Sequence, residues 1–144
     1  MKKENFHLSI VVNATAKEAL ESISHVSEWW AKKFEGRAEK LNDIFIVRFG
    51  ETFVTFKIVE VIPNKKIVWE VIDCYLHWLQ NKKEWNGTKI QWEVSTTNNL
   101  TTIDFTHIGL VPAIECFNDC VTGWTGHVTK SLFKLITEHK GMPE

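Results

Sequence analysis

The stretch FTHIGLVPAIECFNDCVTGW, residues Phe105–Trp124, contains a change in hydrophobic periodicity that decides the fold. Over 100–108 apolar residues alternate with polar ones, which is the two-residue period of a half-buried strand. After Pro112 apolar residues recur at steps of three and four, as in an amphipathic helix, at Phe117, Val121, Trp124, Val128, Leu132, Leu135 and Ile136. We therefore predict a last strand followed by a long helix over about 113–139, which Gly141 ends.

The chain before this junction is dominated by strands. Alternation and turn signals predict them at 6–12, 43–49, 51–62, 67–73 and 88–96. Thr15 followed by Glu18 is the pattern of a capping box, which predicts a short helix over 16–23, with a second near 26–30. Helices on one face of an antiparallel sheet make an α+β domain. We expect a curved sheet of about six strands wrapped around the long helix, with a cleft between them where a ligand can bind.

The composition excludes several classes of protein. A chain of 144 residues fits one domain, assigned here to 1–144. It carries 17 Lys and Arg against 18 Asp and Glu, a net charge of -1, whereas nucleic-acid binders use a basic face to neutralise phosphates. No run approaches the ~20 apolar residues that span a bilayer. We therefore expect neither a nucleic-acid partner nor membrane insertion.

The N-terminus and the cysteines bear on the compartment. The segment MKKENFHLSIVV lacks the longer apolar run and the cleavage site of a signal peptide. Cys74, Cys116 and Cys120 are an odd number of cysteines without the spacing of a disulfide framework. We therefore expect free thiols in a reducing compartment and a cytoplasmic protein.

Three stretches carry a resemblance to a known family: VEVIPNKKIVWEV at 59–71, EWNGTKIQWEV at 84–94, and the junction at 105–124. The chain resembles the SRPBCC or START-like superfamily, which shares the helix-grip fold of the birch pollen allergen. Within it, the chain looks most like single-domain bacterial proteins similar to the activator of the heat-shock-ninety chaperone ATPase. The resemblance implies the helix-grip fold over nearly the whole chain. It leaves function open, because this fold hosts lipid carriers, cyclases and co-chaperone domains.

The candidate ligand-binding residues are those expected to face the cleft. His107 is in phase with the apolar residues of the last strand, and an imidazole there could orient a ligand or act as an acid or base. Alternatively, His107 bonds neighbouring groups and locks the strand-to-helix corner. The candidate wall consists of Trp69, Trp92, Phe105, Phe117, Cys120 and Trp124. Such rings could equally fill the interior, because protein cores pack to crystal-like density.

Two further features concern the entrance of the cleft. Arg48 alternates with Ile44 and Ile46, so it is either an inward anchor for an acidic ligand group or a side chain that reaches water. Trp78 and Trp85 lie in a polar, lysine-bearing segment between two strands. Two tryptophans in such a loop suggest a gate over the cleft or a patch that binds a partner.

Two cysteines and a histidine lie on one stripe of the predicted C-terminal helix, and two glycines lie between them in sequence. Cys116, Cys120 and His127 could in principle ligate zinc. Cys116 and His127 would lie roughly 16 Å apart along the axis at 1.5 Å per residue, so one ion cannot bind both, and we expect no metal. Gly123 and Gly126 cost about 1 kcal/mol each relative to alanine, which indicates close packing or a bend.

These observations leave three hypotheses. The leading one is a non-enzymatic protein that holds a small hydrophobic molecule in the cleft, without a cofactor, as a monomer or a homodimer. The second is a chaperone-interaction module like the co-chaperone activators, although the chain lacks their extra N-terminal domain. The third is a polyketide-cyclase-type enzyme that uses His107 as its acid or base. No nucleophile motif or metal motif in the sequence supports catalysis.

Overall fold

The computed structural model describes residues 4–144, which form a seven-stranded antiparallel sheet and a set of helices. The strands are β1 (Phe6–Val12), β2 (Lys33–Gly36), β3 (Ile44–Phe49), β4 (Thr52–Ile62), β5 (Lys66–Tyr75), β6 (Lys89–Thr97) and β7 (Leu100–Ile108). Their order across the sheet is β1-β7-β6-β5-β4-β3-β2. The helices between the first two strands are α1 (Ala16–Ser24) and α2 (Val26–Trp29). This architecture confirms the predicted α+β helix-grip fold.

The C-terminal helix consists of three consecutive pieces: α3 (Phe117–Gly126), a π-helical segment (His127–Leu132) and α4 (Phe133–Glu138). The wider π-helical turns follow directly after Gly126, so the glycine stands at a change of helix type. An added Cβ at Gly123 or Gly126 would meet no atom within 4 Å. Of the two explanations given for these glycines, close packing is therefore wrong at both positions. None of the helices in residues 4–144 is long and apolar enough to cross a bilayer.

The capping box predicted at the first helix is present. Thr15 Oγ1 accepts the Glu18 N–H at 3.0 Å, and the Glu18 carboxylate accepts the Thr15 N–H at 2.9 Å. These bonds satisfy two N–H groups that a helix start would otherwise leave without partners. They fix the point where the chain leaves β1 and crosses the inner face of the sheet.

Two predictions about the elements were wrong: the number of strands and the start of the long helix. The prediction of about six strands missed β2, a four-residue edge strand that pairs with β3; so short a strand has too little alternation to be recognised. The long helix begins at Phe117 rather than near 113. Residues 111–116 form turns instead, because the Glu84 carboxylate accepts the N–H groups of Glu115 and Cys116.

The inner face of the sheet forms a tightly packed aromatic core. Inward-facing rings from neighbouring strands are fully buried, namely Phe45, Phe56, Trp69, Trp92 and Phe105. Their ring centroids lie 4.9–5.4 Å apart between adjacent members. Fully burying one such side chain contributes about 1.5–3 kcal/mol to folding. This aromatic core holds the sheet against the helices and leaves no space among these rings for a ligand.

The chain after the C-terminal helix folds back over α2. A Cβ at Gly141 would lie 2.2 Å from the carbonyl oxygen of Glu28, so only glycine allows this close approach. The backbone N–H of Glu144 donates to the Trp30 carbonyl at 2.9 Å, and the Lys32 N–H donates to the Glu144 carbonyl at 2.8 Å. These contacts bring Glu144 beside the C-terminal helix.

Candidate functional site

A cavity of about 320 Å³ lies in the cleft between the sheet and the first half of the C-terminal helix. Its floor includes Thr52 and Val54 of β4, and Leu76 comes from the segment after β5. Larger depressions of about 420 and 860 Å³ lie elsewhere on the protein and are bordered by many charged and polar residues. The cleft cavity differs from them in its aromatic and apolar walls, and we take it as the candidate site.

Four tryptophans border the cavity. Trp30, Trp85 and Trp124 make a continuous surface, with Trp124 at 4.8 Å from Trp30 and 6.0 Å from Trp85 between ring centroids. Phe49 extends the wall at 5.8 Å from Trp30. Trp78 stands at the rim and is 49% exposed, so part of its ring is free for contact with a ligand.

The helix side of the cavity carries small residues. Cys120 and Gly123 border the cavity, and the position of a Cβ on Gly123 is open space to 4 Å. The void therefore lies where the helix presents the small side chains of Cys120 and Gly123, while Trp124 of the same helix forms part of the wall. A glycine here costs helix stability of about 1 kcal/mol relative to alanine.

Four polar residues complete the lining: Thr52, Asp119, His127 and Glu144. His127 Nε2 lies 3.8 Å from the Glu144 carboxylate. Burial lowers the pKa of His127, and the nearby Glu144 charge opposes this shift only in part. His127 is therefore a neutral imidazole at neutral pH. Asp119 and Glu144 are exposed, which places their carboxylates at the open side of the cavity.

The segment between β5 and β6, which includes the predicted gate, is held by reciprocal caps. The Glu84 carboxylate accepts the N–H groups of Glu115 and Cys116 at 2.8 and 3.0 Å. In return, the Glu115 carboxylate accepts the N–H groups of Gln80 and Asn81 at 2.9 and 3.0 Å. These backbone hydrogen bonds lower the pKa of Glu115. They tie the segment to the start of α3.

Trp85 and Trp78 therefore differ as gate residues. Trp85 is only 6% exposed, and its indole N–H donates to Cys116 Sγ at 3.2 Å, so it is a fixed wall. Trp78 stands at the rim and is half exposed, so its ring can move without breaking a hydrogen bond like that of Trp85. The prediction of a gate made of both tryptophans is corrected for Trp85, because the capped segment holds that ring in place.

His107 lies outside the cavity lining and is fully buried. The indole N–H of Trp124 donates to Nδ1 at 3.0 Å, so Nδ1 is the acceptor and Nε2 carries the proton. Nε2 in turn donates to Thr88 Oγ1 at 3.0 Å, and that hydroxyl donates to the Trp85 carbonyl at 2.7 Å. Burial lowers the pKa of His107 to about 3. The structure thus supports the alternative in which His107 locks the strand-to-helix corner.

The other predicted wall residues divide between core and cavity. Cys120 and Trp124 border the cavity, as does the predicted gate. Trp69, Trp92 and Phe105 are 0% exposed and belong to the aromatic core, so the alternation that pointed them inward placed them under other rings. The indole N–H groups of Trp69 and Trp92 find no acceptor among the described residues, so these rings contribute through packing.

Arg48 and Phe117 also lie away from the cavity. Arg48 points to the outer face, where its Nε donates to the Glu35 carboxylate at 2.9 Å and its side chain is 44% exposed. The inward residues of β3 are Phe45 and Val47. The inward-anchor reading of Arg48 is therefore corrected to a water-facing one. Phe117 packs partly buried against the core rather than bordering the cavity.

The cysteines differ from the expectation of three free thiols. Cys116 and Cys120 form a disulfide across the first turn of α3, with their Cα atoms 5.6 Å apart. Cys74 is free and buried. An odd cysteine count predicts an unpaired thiol but says nothing about the other two, which the helix brings together at a spacing of four. The cysteines therefore give no support to a reducing compartment.

Nine of the thirteen lining residues were not among those predicted, namely Trp30, Phe49, Thr52, Val54, Leu76, Asp119, Gly123, His127 and Glu144. His127 had a signal, since it follows Cys120 by seven residues on the same helical stripe. Asp119 borders the cavity from the exposed first turn of α3, where a carboxylate is ordinary. Glu144 reaches the site only through the fold-back of the chain over α2, which no local pattern indicates.

Comparisons with known proteins agree with this architecture. No protein-family model and no curated protein sequence matches the chain. The solution structure of the Aha1 dimer from Colwellia psychrerythraea has a TM-score of 0.78 at 24% identity, covering 96% of this chain and 99% of that one. Protein MLL2253 from Mesorhizobium loti gives 0.73 at 11% identity, covering 96% and 100%.

A further similar structure is DynU16, from the dynemicin biosynthetic locus, with a TM-score of 0.70 at 14% identity. The match covers 97% of this chain and 49% of DynU16. Identities this low carry no information about activity, and they show the fold alone. The chain therefore has the helix-grip fold, as the Aha1 structure does.

Proposed function

We propose that this protein binds a small, largely apolar, ring-bearing molecule in the cleft cavity. The observation that carries the proposal is the open space in front of Gly123, enclosed by Trp30, Trp78, Trp85 and Trp124. Its volume of about 320 Å³ falls at the lower end of the ~300–1,000 Å³ typical of ligand pockets. Rings stack favourably on such walls, because aromatic pairs contribute about 0.5–1.5 kcal/mol beyond their buried area.

The lining also supports orientation of the ligand. Apolar walls surround most of the void, while Thr52, His127 and the two carboxylates offer a few convergent polar contacts. This combination, a mainly hydrophobic pocket with a small number of polar groups, is the usual composition of a small-molecule site. The reciprocal caps of the segment after β5 hold the Trp85 side of the pocket in place, so this side adds little ordering cost on binding.

Native mass spectrometry of protein purified without denaturation tests this proposal. We expect an adduct of small mass that is absent from the denatured protein. Gly123→Leu should abolish the adduct because its side chain occupies the cavity, whereas Gly126→Leu, at a matched helical glycine outside the lining, should retain it. If both variants retain the adduct equally, or if the wild type carries none, the proposal is wrong. Gly123→Ala supplies a milder filling should the leucine variant fold poorly.

A second candidate is interaction with a chaperone ATPase, and one comparison favours it. The Aha1 structure is covered over 99% of its length by this chain. The similarity to that Aha1 structure therefore extends over nearly the whole of both chains, which supports a role in binding a chaperone. Stimulation of the heat-shock-ninety chaperone ATPase by the wild type, and equally by Gly123→Leu, would support this candidate over the cavity.

The cyclase-type alternative loses the residue on which it depended. His107 was its acid or base, but both ring nitrogens are engaged and the side chain is fully buried. A substrate in the cavity would meet Trp85 and Trp124, which lie between it and the imidazole.

A further inference from the structure

The charges around the cavity are of one sign. Two carboxylates, Asp119 and Glu144, border it, and within residues 4–144 the lining includes neither lysine nor arginine. Among the described residues of the lining, the one with a basic side chain is His127. Burial lowers the pKa of its imidazole. The charged side chains that border the cavity are therefore the carboxylates of Asp119 and Glu144.

The half-exposed ring of Trp78 at the rim adds a second attraction for a cation. The face of an indole ring carries partial negative charge, and tryptophan is the residue that attracts cations most strongly through its ring. Trp30, Trp85 and Trp124 form one continuous wall, and Trp78 stands at the rim with its ring half exposed. Within the described residues no other aromatic ring stacks on Trp78, so a ligand can lie against its face.

We infer that the ligand of this cavity bears an organic cation, such as a quaternary or alkylated ammonium group, held by the tryptophans and by the carboxylates of Asp119 and Glu144. The inference rests on the proposed binding function and names its ligand class. An anionic ligand would face two carboxylates without a compensating cation. A bare metal ion would exchange its water shell for aromatic rings and only two carboxylates, whereas alkylated ammonium groups are weakly hydrated and fit aromatic walls.

A pair of isosteric probes separates this inference from general apolar binding. Choline and 3,3-dimethylbutan-1-ol have nearly the same shape, but only choline is charged. We would titrate each into protein labelled with 5-fluorotryptophan and follow the seven fluorine resonances, with sodium chloride matched to the choline chloride. Trp30, Trp78, Trp85 and Trp124 border the cavity and should respond, while Trp29, Trp69 and Trp92 serve as internal controls in the core.

We expect choline to bind at least about fivefold more tightly than the alcohol, as a cation–π contribution of about 1 kcal/mol or more requires. Asp119→Asn combined with Glu144→Gln, and separately Trp78→Leu, should each weaken choline binding by a larger factor than binding of the alcohol, so the ratio of the two affinities should fall. Because Asp119, Glu144 and Trp78 are exposed, these variants should fold.

The outcomes distinguish the inference from the proposed function. If the alcohol binds as tightly as choline or more tightly, the inference is wrong while a neutral apolar ligand site stands. If neither probe moves the cavity resonances, the inference is wrong, and the native-mass adduct and its loss in Gly123→Leu decide the proposed function. If choline shifts the core tryptophans as much as the cavity tryptophans, its binding is nonspecific and the inference is also wrong.

Discussion

The C-terminal helix meets the rest of the protein in two different ways along its length. In its first half Cys120 and Gly123 border an open cavity of about 320 Å³. In its second half the helix presents large apolar side chains that are at most 7% exposed, namely Val128, Leu132, Leu135 and Ile136. The first half thus leaves space at Cys120 and Gly123, although its Trp124 is buried, whereas the second half carries large apolar side chains that are buried throughout.

The opposite wall does not explain this difference. Tryptophans occur both in the aromatic core, as Trp69 and Trp92, and around the cavity, as Trp78 and Trp85. The interior is open where the helix presents Cys120 and Gly123, and it is filled where Trp124 packs on Phe105 at 4.7 Å between ring centroids. Where the facing residue is Gly123, even a Cβ would meet nothing within 4 Å. Aromatic content by itself therefore does not identify a ligand site.

The largest expected effect comes from truncating the filled region. Phe105→Ala should lower the free energy of unfolding by about 3–5 kcal/mol, because it leaves a void among fully buried rings. Trp78→Ala, which removes a half-exposed ring at the cavity rim, should cost less than about 1 kcal/mol. Urea denaturation of both variants measures the difference. Equal losses would mean that the two regions are packed alike and would contradict the comparison.

A smaller effect concerns His107, which links the two regions through Trp124. Its pKa is about 3 in the folded protein, below the ordinary value of 6.5, so the unfolded chain binds a proton that the folded protein does not. Stability should therefore fall as the pH is lowered from 6.5 toward 3, by about 1.4 kcal/mol per pH unit from this group.

His107→Gln isolates that contribution. Glutamine can accept the Trp124 N–H and donate to Thr88 without titrating. The slope of unfolding free energy against pH between about 6 and 4.5 should be shallower in the variant by about 1.4 kcal/mol per unit. Groups such as His127 and Glu115 titrate in both proteins, so their effects cancel in the difference. Identical slopes would show that His107 is not held neutral.

The smallest effect compares the two helical glycines. Gly123→Ala and Gly126→Ala should each raise the free energy of unfolding by about 1 kcal/mol, because both relieve a helix-interior glycine and neither new Cβ meets an atom within 4 Å. Only Gly123→Ala intrudes on the cavity, so only it should weaken ligand binding. Thermal unfolding with and without ligand measures both quantities. Weaker binding in Gly126→Ala would place the ligand elsewhere.

Much of the fold follows from local pattern. The alternation in β1 and β7, the capping box at Thr15 and the helical period after Pro112 each set one element, and their order implies the architecture. The edge strand β2 was not predicted, because four residues are too few to show a period. The start of α3 was predicted too early, because the carboxylate of Glu84, distant in sequence, accepts the N–H groups of Glu115 and Cys116. In a helix that started earlier, these groups would lie within the helix.

Fewer of the residues that line the cavity could be predicted from the sequence. Alternation correctly pointed Trp92 and Phe105 inward, but it cannot show that other rings cover them. The sequence shows that Gly123 lowers the stability of the helix, but it does not show that this glycine borders a cavity, because that depends on the residues across the cleft. Glu144 reaches the cavity through hydrogen bonds between the end of the described chain and the residues after α2. A cavity is a property of several elements together, and each of these outcomes depends on contacts distant in sequence.

The most direct test of the comparison is a crystal of this protein under xenon pressure, since xenon occupies apolar voids and is excluded from filled cores. We predict a xenon atom in the cavity beside Gly123 and Trp124, and none among Trp69, Trp92 and Phe105. Xenon in the aromatic core, or a closed cavity with no xenon beside Gly123, would contradict the account.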